Sequence, residues 1–232
     1  MVDRGLAESS ERAKALILAG TVSVNGQRVD KAGTAVADDA RVELAAGRLY
    51  VSRGGFKLAG ALDHWGIDVN GKICFDAGAS TGGFTDCLLQ RGAAKVYAYD
   101  AGRGQLDWRL RNDPRVESRE GVNLRHAEEV TLADSIDLAV CDVSFISVTQ
   151  ILPTLAAILG PRGAMVVLIK PQFEVSRGQV GKGGIVRDTA LHDAACRRVS
   201  EAVVRLGFQT EMIPSPILGA EGNREFLLYG TH

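Results

Sequence analysis

From residue 73 onward, short apolar runs alternate with stretches in which apolar positions recur at helical spacing. The runs are Ile73–Phe75, Val96–Tyr99, a weak one at Val116–Ser118, Leu138–Cys141, Met165–Ile169, Gln209–Ile213 and Glu225–Tyr229. Such runs are too short for helices and read as strands; regular alternation with helical periods implies a mostly parallel sheet covered by helices on both faces. No helical period separates the last two runs, which predicts an antiparallel hairpin at the sheet edge. Leu58, Leu62 and Trp65 predict a helix packed beside the sheet, entered through a bend at Gly54-Gly55.

The first 47 residues read as a separate module, with 48–52 as linker and 53–232 as the larger domain. Ser9-Ser10 start a helix whose apolar residues continue to a stop at Gly20. Val22-Ser23-Val24 and Gln27-Arg28-Val29 flank Asn25-Gly26, the strongest short hairpin signal. Arg12 and Lys14 fall on the helix and Arg28 on the hairpin, a basic set that a solvated face would also carry.

Composition narrows the classes. The chain has 232 residues and a net charge of −1, so any attraction to nucleic acid must come from local patches. Four cysteines, Cys74, Cys87, Cys141 and Cys196, show no Cys-x-x-Cys pairing and read as reduced packing residues, and the scattered histidines suggest no metal site. No secretory leader is evident, and the apolar region Val148–Ile169 is interrupted by Pro153, Pro161 and Arg162, which predicts a cytoplasmic protein with no membrane span.

The candidate chemistry centres on Asp76-Ala77-Gly78-Ala79-Ser80-Thr81-Gly82-Gly83-Phe84-Thr85, a strand-to-helix turn. Its glycines permit positive φ and close ligand approach. Neither a Gly-Lys-Ser/Thr ending nor Gly-x-Gly-x-x-Gly is present, which argues against nucleotide diphosphates. Asp100, ending the next run, occupies the place from which acids grip ribose hydroxyls in such folds. Together these residues read as an S-adenosylmethionine site. Asp142 and Lys170 end the fourth and fifth runs and should meet in the same crevice, because ligands bind at the carboxyl ends of parallel strands. An Asp–Lys bridge capping the sheet is the plainer interpretation of that pair alone.

Adding Lys57 and Glu225 gives a quartet, Lys57, Asp142, Lys170 and Glu225, that resembles the Lys-Asp-Lys-Glu set of FtsJ-like ribose 2′-O-methyltransferases. The resemblance is closer to their TlyA or hemolysin A branch, carried by Ser52 to Leu58, Asp76 to Asp86, Asp142 to Ser147, Lys170 to Glu174 and Gly222 to Phe226. The first 47 residues resemble the S4 RNA-binding domain, short by a helical turn at the N-terminus.

The resemblance implies a class I methyltransferase fold, α/β with a seven-stranded sheet, behind a small α+β RNA-binding module. It implies S-adenosylmethionine as donor and ribosomal RNA or a ribosomal subunit as partner, with cytidine as target and a monomeric enzyme. Asn123 and Leu124 would hold adenine, beside Asp76, Gly78 through Phe84, Asp100 and Asp142. Lys170 would take the proton of the 2′-hydroxyl, with Lys57 and Asp142 setting its proton affinity and orientation and Glu225 holding Lys57 or the ribose. Arg53, and Arg177, Lys182 and Arg187 in a glycine-rich basic loop, would grip RNA beside Arg12, Lys14 and Arg28, the loop acting as a lid. Two other readings remain in the sequence: a membrane-active protein, as the family's older name suggests, and an RNA-binding protein with an inactive transferase fold. Asp142-Val143-Ser144-Phe145 lacks the prolines of an amino-nitrogen methyltransferase, and Cys141 lacks the setting of a pyrimidine C5 nucleophile.

Overall fold

The computed structural model describes residues 1–232 except 3, 8, 9, 11, 12, 15, 16, 18–21, 30, 45–49, 127–129, 220 and 221. The chain divides into two compact units, Met1–Leu49 and Tyr50–His232. In the first, Ser10, Ala13, Lys14 and Ile17 are helical; Arg12 and Gly20 lie outside the described residues. A three-stranded antiparallel sheet follows in the order β2-β1-β3, with β1 Val22–Val24, β2 Gln27–Val29 and β3 Val42–Leu44. Asn25 and Gly26 both have positive φ, 51° and 78°, the mirror-image turn that matches strand twist. The Asn25 side chain accepts from the Arg41 backbone N–H at 2.8 Å and so ties the turn to β3. Arg4 donates to the Asp38 and Ala40 carbonyls, the former at 2.7 Å.

The second unit is a seven-stranded sheet in the order β6-β5-β4-β7-β8-β10-β9. Its strands are β4 Ile73–Ala77, β5 Lys95–Asp100, β6 Val116–Glu120, β7 Ile136–Cys141, β8 Leu159–Ile169, β9 Gln209–Pro214 and β10 Phe226–Thr231. All pairs are parallel except those of β10, which runs antiparallel to both β8 and β9. The expected terminal hairpin is present, with β10 inserted inside the sheet and β9 at its edge. Strand alternation divides the core into two layers. Cys74, Val96, Ala98, Val140, Val166 and Leu168 point to one face, and Phe75, Tyr97, Tyr99, Ala139, Met165 and Val167 to the other.

Helix α1, Gly54–Trp65, and helix α2, Gly83–Gln90, cover the first face together. Leu58 and Leu62 are buried and Trp65 is half-buried, its ring stacked on Tyr229. The bend expected at Gly54-Gly55 is instead the first turn of α1. Glycine is required at 55 because a Cβ there would collide with the Tyr50 ring. Short α3, Trp108–Arg111, precedes β6, whereas α4, Leu152–Ile158, α5, Pro171–Glu174, and α6, Thr189–Arg205, follow later strands. Among the described residues, no helix is long and apolar enough to cross a membrane.

Candidate active site

The topology gathers the charged residues at one end of the sheet. Asp100 ends β5, Asp142 follows β7, and Lys170 follows β8 as the residue preceding α5. Glu225 joins them because β10 is antiparallel. Phe226 pairs with Ile169, so the residue before one strand stands beside the residue after the other. Glu225 therefore lies just outside the strand expected to contain it.

The glycine-rich turn forms the floor of a cleft of roughly 320 Å³, within the range of small-ligand sites. Gly78, Ser80, Asp100, Asn123, Leu124 and Asp142 line it. Gly78 has φ +81°, and a Cβ there would come to 2.9 Å from the Asp142 carbonyl oxygen, so only glycine closes this wall. Asp100 accepts from Ser80 N–H at 2.7 Å and from Gly102 N–H at 2.6 Å, which fixes its carboxylate while leaving each oxygen a further lone pair. Ala79, Thr81, Gly83 and Phe84 line a second, smaller recess of about 100 Å³ with Lys57 and Asp142.

Two expected ligand contacts lie elsewhere. Gly82, at φ +96°, starts α2 with its open side against Leu106 and Leu110, so its glycine serves packing. Asp76 belongs to neither recess and is fully buried beneath the turn. One carboxylate oxygen accepts from Thr85 N–H at 2.9 Å and Thr85 Oγ1 at 2.7 Å, while Oδ1 has no hydrogen-bond partner. Its parity explains this: two residues from Cys74, it points under α2.

Burial pushes the Asp76 carboxyl up to about 7, opposed by the Thr85 bonds and reinforced by Asp142 and Asp100. Unfolded, an aspartate titrates near ~4. Between these values the folded chain keeps a proton that the unfolded chain releases, so the contribution is present below the unfolded value and lost as pH rises to about 7. Asp76→Asn removes this titration. The stability difference should move in the variant's favour by up to roughly 4 kcal/mol between acidic and neutral pH. Denaturant unfolding at both pH values checks this; a difference that does not vary with pH contradicts it.

The quartet comes as two ion pairs. Lys57 Nζ is 2.5 Å from Glu225 Oε2, with both side chains at least nine-tenths buried. Lys170 Nζ is 2.6 Å from Asp142 Oδ1, the two being 11% and 21% exposed. Both acceptor oxygens lie without a regular hydrogen bond, so charge carries these contacts. Lys57 and Asp142 face the smaller recess, and Lys170 and Glu225 stand behind them as their partners.

The loop after β7 contributes residues that the sequence did not nominate. Val143, Ser144, Phe145 and Ile146 form one cleft wall, with Gln105 and Val122 opposite. Lys170 Nζ donates to Ser144 Oγ at 2.7 Å. Phe145 is 88% exposed with φ +70°, a conformation that non-glycine residues adopt only when their surroundings hold it. Its ring lies 5.4 Å from that of Phe173. The buried Glu174 carboxylate accepts from Ser147 Oγ at 2.6 Å and Val148 N–H at 2.7 Å, joining this loop to α5. The side-chain pattern gave no signal for these roles because they depend on loop backbone.

Of the residues expected to grip RNA, Lys14, Arg53, Arg177, Lys182 and Arg187 are exposed; Arg28 is on β2, its side chain outside the described set, and Arg12 is outside it altogether. Arg53 also donates to the Leu218 carbonyl at 2.9 Å. The glycine-rich basic loop forms two single turns, Arg177–Gln179 and Lys182–Gly184. Buried Asn223 fastens its far end, accepting from Val186 N–H at 3.0 Å and donating to the Gly184 carbonyl at 2.8 Å.

The four cysteines are free. Burial pushes the Cys141 thiol up to about 12, so it is no nucleophile at neutral pH. The site offers a fixed carboxylate at Asp100, an apolar wall that includes Leu124, Val122 and Ile146, and two lysines, each paired with a carboxylate.

The profile for FtsJ-like methyltransferases matches residues 50–232, and that for the S4 domain matches residues 1–42. The chain is 45% identical over 232 residues to the 16S/23S rRNA (cytidine-2′-O)-methyltransferase TlyA of Mycobacterium tuberculosis, covering 99% of this chain and 87% of that one. It is also 45% identical over 227 residues to hemolysin A of Brachyspira hyodysenteriae, covering 97% and 95%. A solved structure from Streptococcus thermophilus superposes with a TM-score of 0.77 at 45% identity, over 99% of this chain and 85% of that chain.

Proposed function

Because the chain belongs to the FtsJ-like methyltransferases, in the branch that includes TlyA and hemolysin A, we propose that it methylates a ribose 2′-hydroxyl of ribosomal RNA, with cytidine as the target. The carrying observation is the pairing of Lys170 with Asp142 beside a cleft whose acid and glycine backbone suit a ribose-bearing ligand. The activity of the Mycobacterium tuberculosis relative supports RNA and cytidine, and the matched S4 segment supports an RNA partner. An RNA substrate of this kind places the work in the cytoplasm.

The donor set fits S-adenosylmethionine. Asp100 retains acceptor capacity for two ribose hydroxyls, Asn123 and Leu124 stand where a purine ring would lie, and the Gly78 backbone leaves room that a side chain would fill. When bound, S-adenosylmethionine supplies an electrophilic methyl group on a positively charged sulfur.

The chain's own residues perform the rest. A ribose hydroxyl is a very weak acid, and its proton must leave as the oxygen attacks. Lys170 first releases to solvent the proton it holds in the ion pair, then takes the hydroxyl proton at Nζ as the oxygen attacks, and Asp142 stabilises the ammonium that results. Lys57, held by Glu225, turns its charge toward the recess where the hydroxyl oxygen would gain negative character. Phe145 offers an exposed ring at the cleft wall on which the target base can stack. Arg177, Lys182 and Arg187 supply phosphate contacts from the loop pinned by Asn223.

The expected result is a new 2′-O-methylcytidine when ribosomal subunits lacking the mark are incubated with the protein and labelled donor, then mapped by alkaline-resistant cleavage. Labelling confined to bases or to protein would overturn the reading.

A further inference from the structure

We propose that Ser144 is a positioning residue that aims the Lys170 amine at the substrate hydroxyl, an inference that rests on the function proposed above. Lys170 Nζ touches two acceptors, Asp142 Oδ1 at 2.6 Å and Ser144 Oγ at 2.7 Å. A neutral amine has two N–H bonds and one lone pair. With one N–H directed at Asp142 and the other at Ser144, the lone pair has a single direction left. With Asp142 alone, the second N–H and the lone pair can exchange places, leaving the lone pair two directions.

Ser144 suits this task because its place is fixed before any substrate arrives. At one end of its loop, Asp142 N–H donates to the Ala77 carbonyl at 3.0 Å. At the other, Glu174 spends both carboxylate oxygens on Ser147 and Val148. Glu174 lies on α5, the helix that begins just after Lys170. The amine and its second acceptor are therefore built on one braced unit. The left-handed backbone of Phe145 is the strained step inside the brace, of a kind that persists only when both flanks are held. Ser144 also lines the cleft proposed for the donor, so the bond lies beside the methyl donor's place.

The test compares wild type, Ser144→Ala and Ser144→Thr in single-turnover methyl transfer to ribosomal RNA, with donor affinity, KM for RNA and Tm measured alongside. A hydrogen bond to a group that becomes charged predicts a rate loss of roughly tenfold or more for Ser144→Ala. Donor affinity, KM and Tm should hold, and Ser144→Thr should recover most of the rate. Wild-type rates in Ser144→Ala, or a loss accompanied by equal weakening of donor binding and Tm, would overturn the inference; so would a threonine variant as slow as alanine. If wild type itself transfers no methyl to RNA ribose, the proposed function falls and the inference with it. An active wild type beside an unaffected Ser144→Ala removes the inference alone.

Discussion

Lys170→Ala is expected to lower methyl transfer by about 10²–10⁴-fold, the usual worth of a placed general base, while leaving donor affinity nearly unchanged. The separation follows from where the side chain stands. The cleft is lined by Gly78, Asp100, Asn123 and Leu124, and Lys170 reaches it only through Asp142 and Ser144. Removing the amine therefore deletes the proton acceptor while leaving Asp100, Asn123 and Leu124 in place. Lys170→Arg sharpens the test: guanidinium can keep an ion pair with Asp142 but stays protonated, so it should be as inactive as alanine. Single-turnover rates and donor titration by calorimetry check both variants. A Lys170→Arg protein that turns over normally would remove the base assignment.

The second large effect is on stability. Glu225→Ala leaves the ammonium of Lys57 in a site only 9% exposed without the carboxylate that pairs with it, and breaking such a buried pair from one side costs about 3–5 kcal/mol. For a unit of this size, the fall in Tm should be on the order of 10 °C. Gly219 shows how closely the pocket is fitted to the carboxylate, since a Cβ there would lie 2.5 Å from Glu225 Oε1. Lys57→Met combined with Glu225→Leu should regain most of the lost stability, because desolvation offsets much of a buried pair's attraction. That double variant should remain inactive. Thermal unfolding and activity together separate the two roles: a double variant that is both stable and active would show that the pair serves neither charge placement nor chemistry.

The sheet was readable from alternation because its central strands β4, β5, β7 and β8 bury both faces and so write short apolar runs, whereas the edge strands β6 and β9 are only partly buried. Even weak Val116–Ser118 proved to be part of β6. The meeting of Asp142 with Lys170 followed from the rule that parallel strands end at one edge. Glu225 needed the antiparallel insertion of β10, which the hairpin signal implied but did not position.

What the pattern concealed was backbone geometry. Gly54-Gly55 looked like a bend and is a helix start shaped by Tyr50, since a glycine's demand for space leaves no trace of the neighbour that imposes it. Asp76 looked like a ligand contact and is a buried anchor for α2; its parity with Cys74 carried that information, but the glycines beside it drew the turn's acid toward the ligand. Phe145 and Ser144 stand in a quoted motif yet gained no role, because positive φ at Phe145 and the grip of Glu174 arise only after the loop is folded.

The central claim is that Lys170 and its partners act on a ribose 2′-oxygen. The most direct measurement offers the protein two RNAs that differ only at the target ribose, one carrying a 2′-hydroxyl and the other 2′-deoxy, with labelled S-adenosylmethionine in both. Transfer to the hydroxyl form and none to the deoxy form is the predicted result. Undiminished transfer to the deoxy form would contradict it.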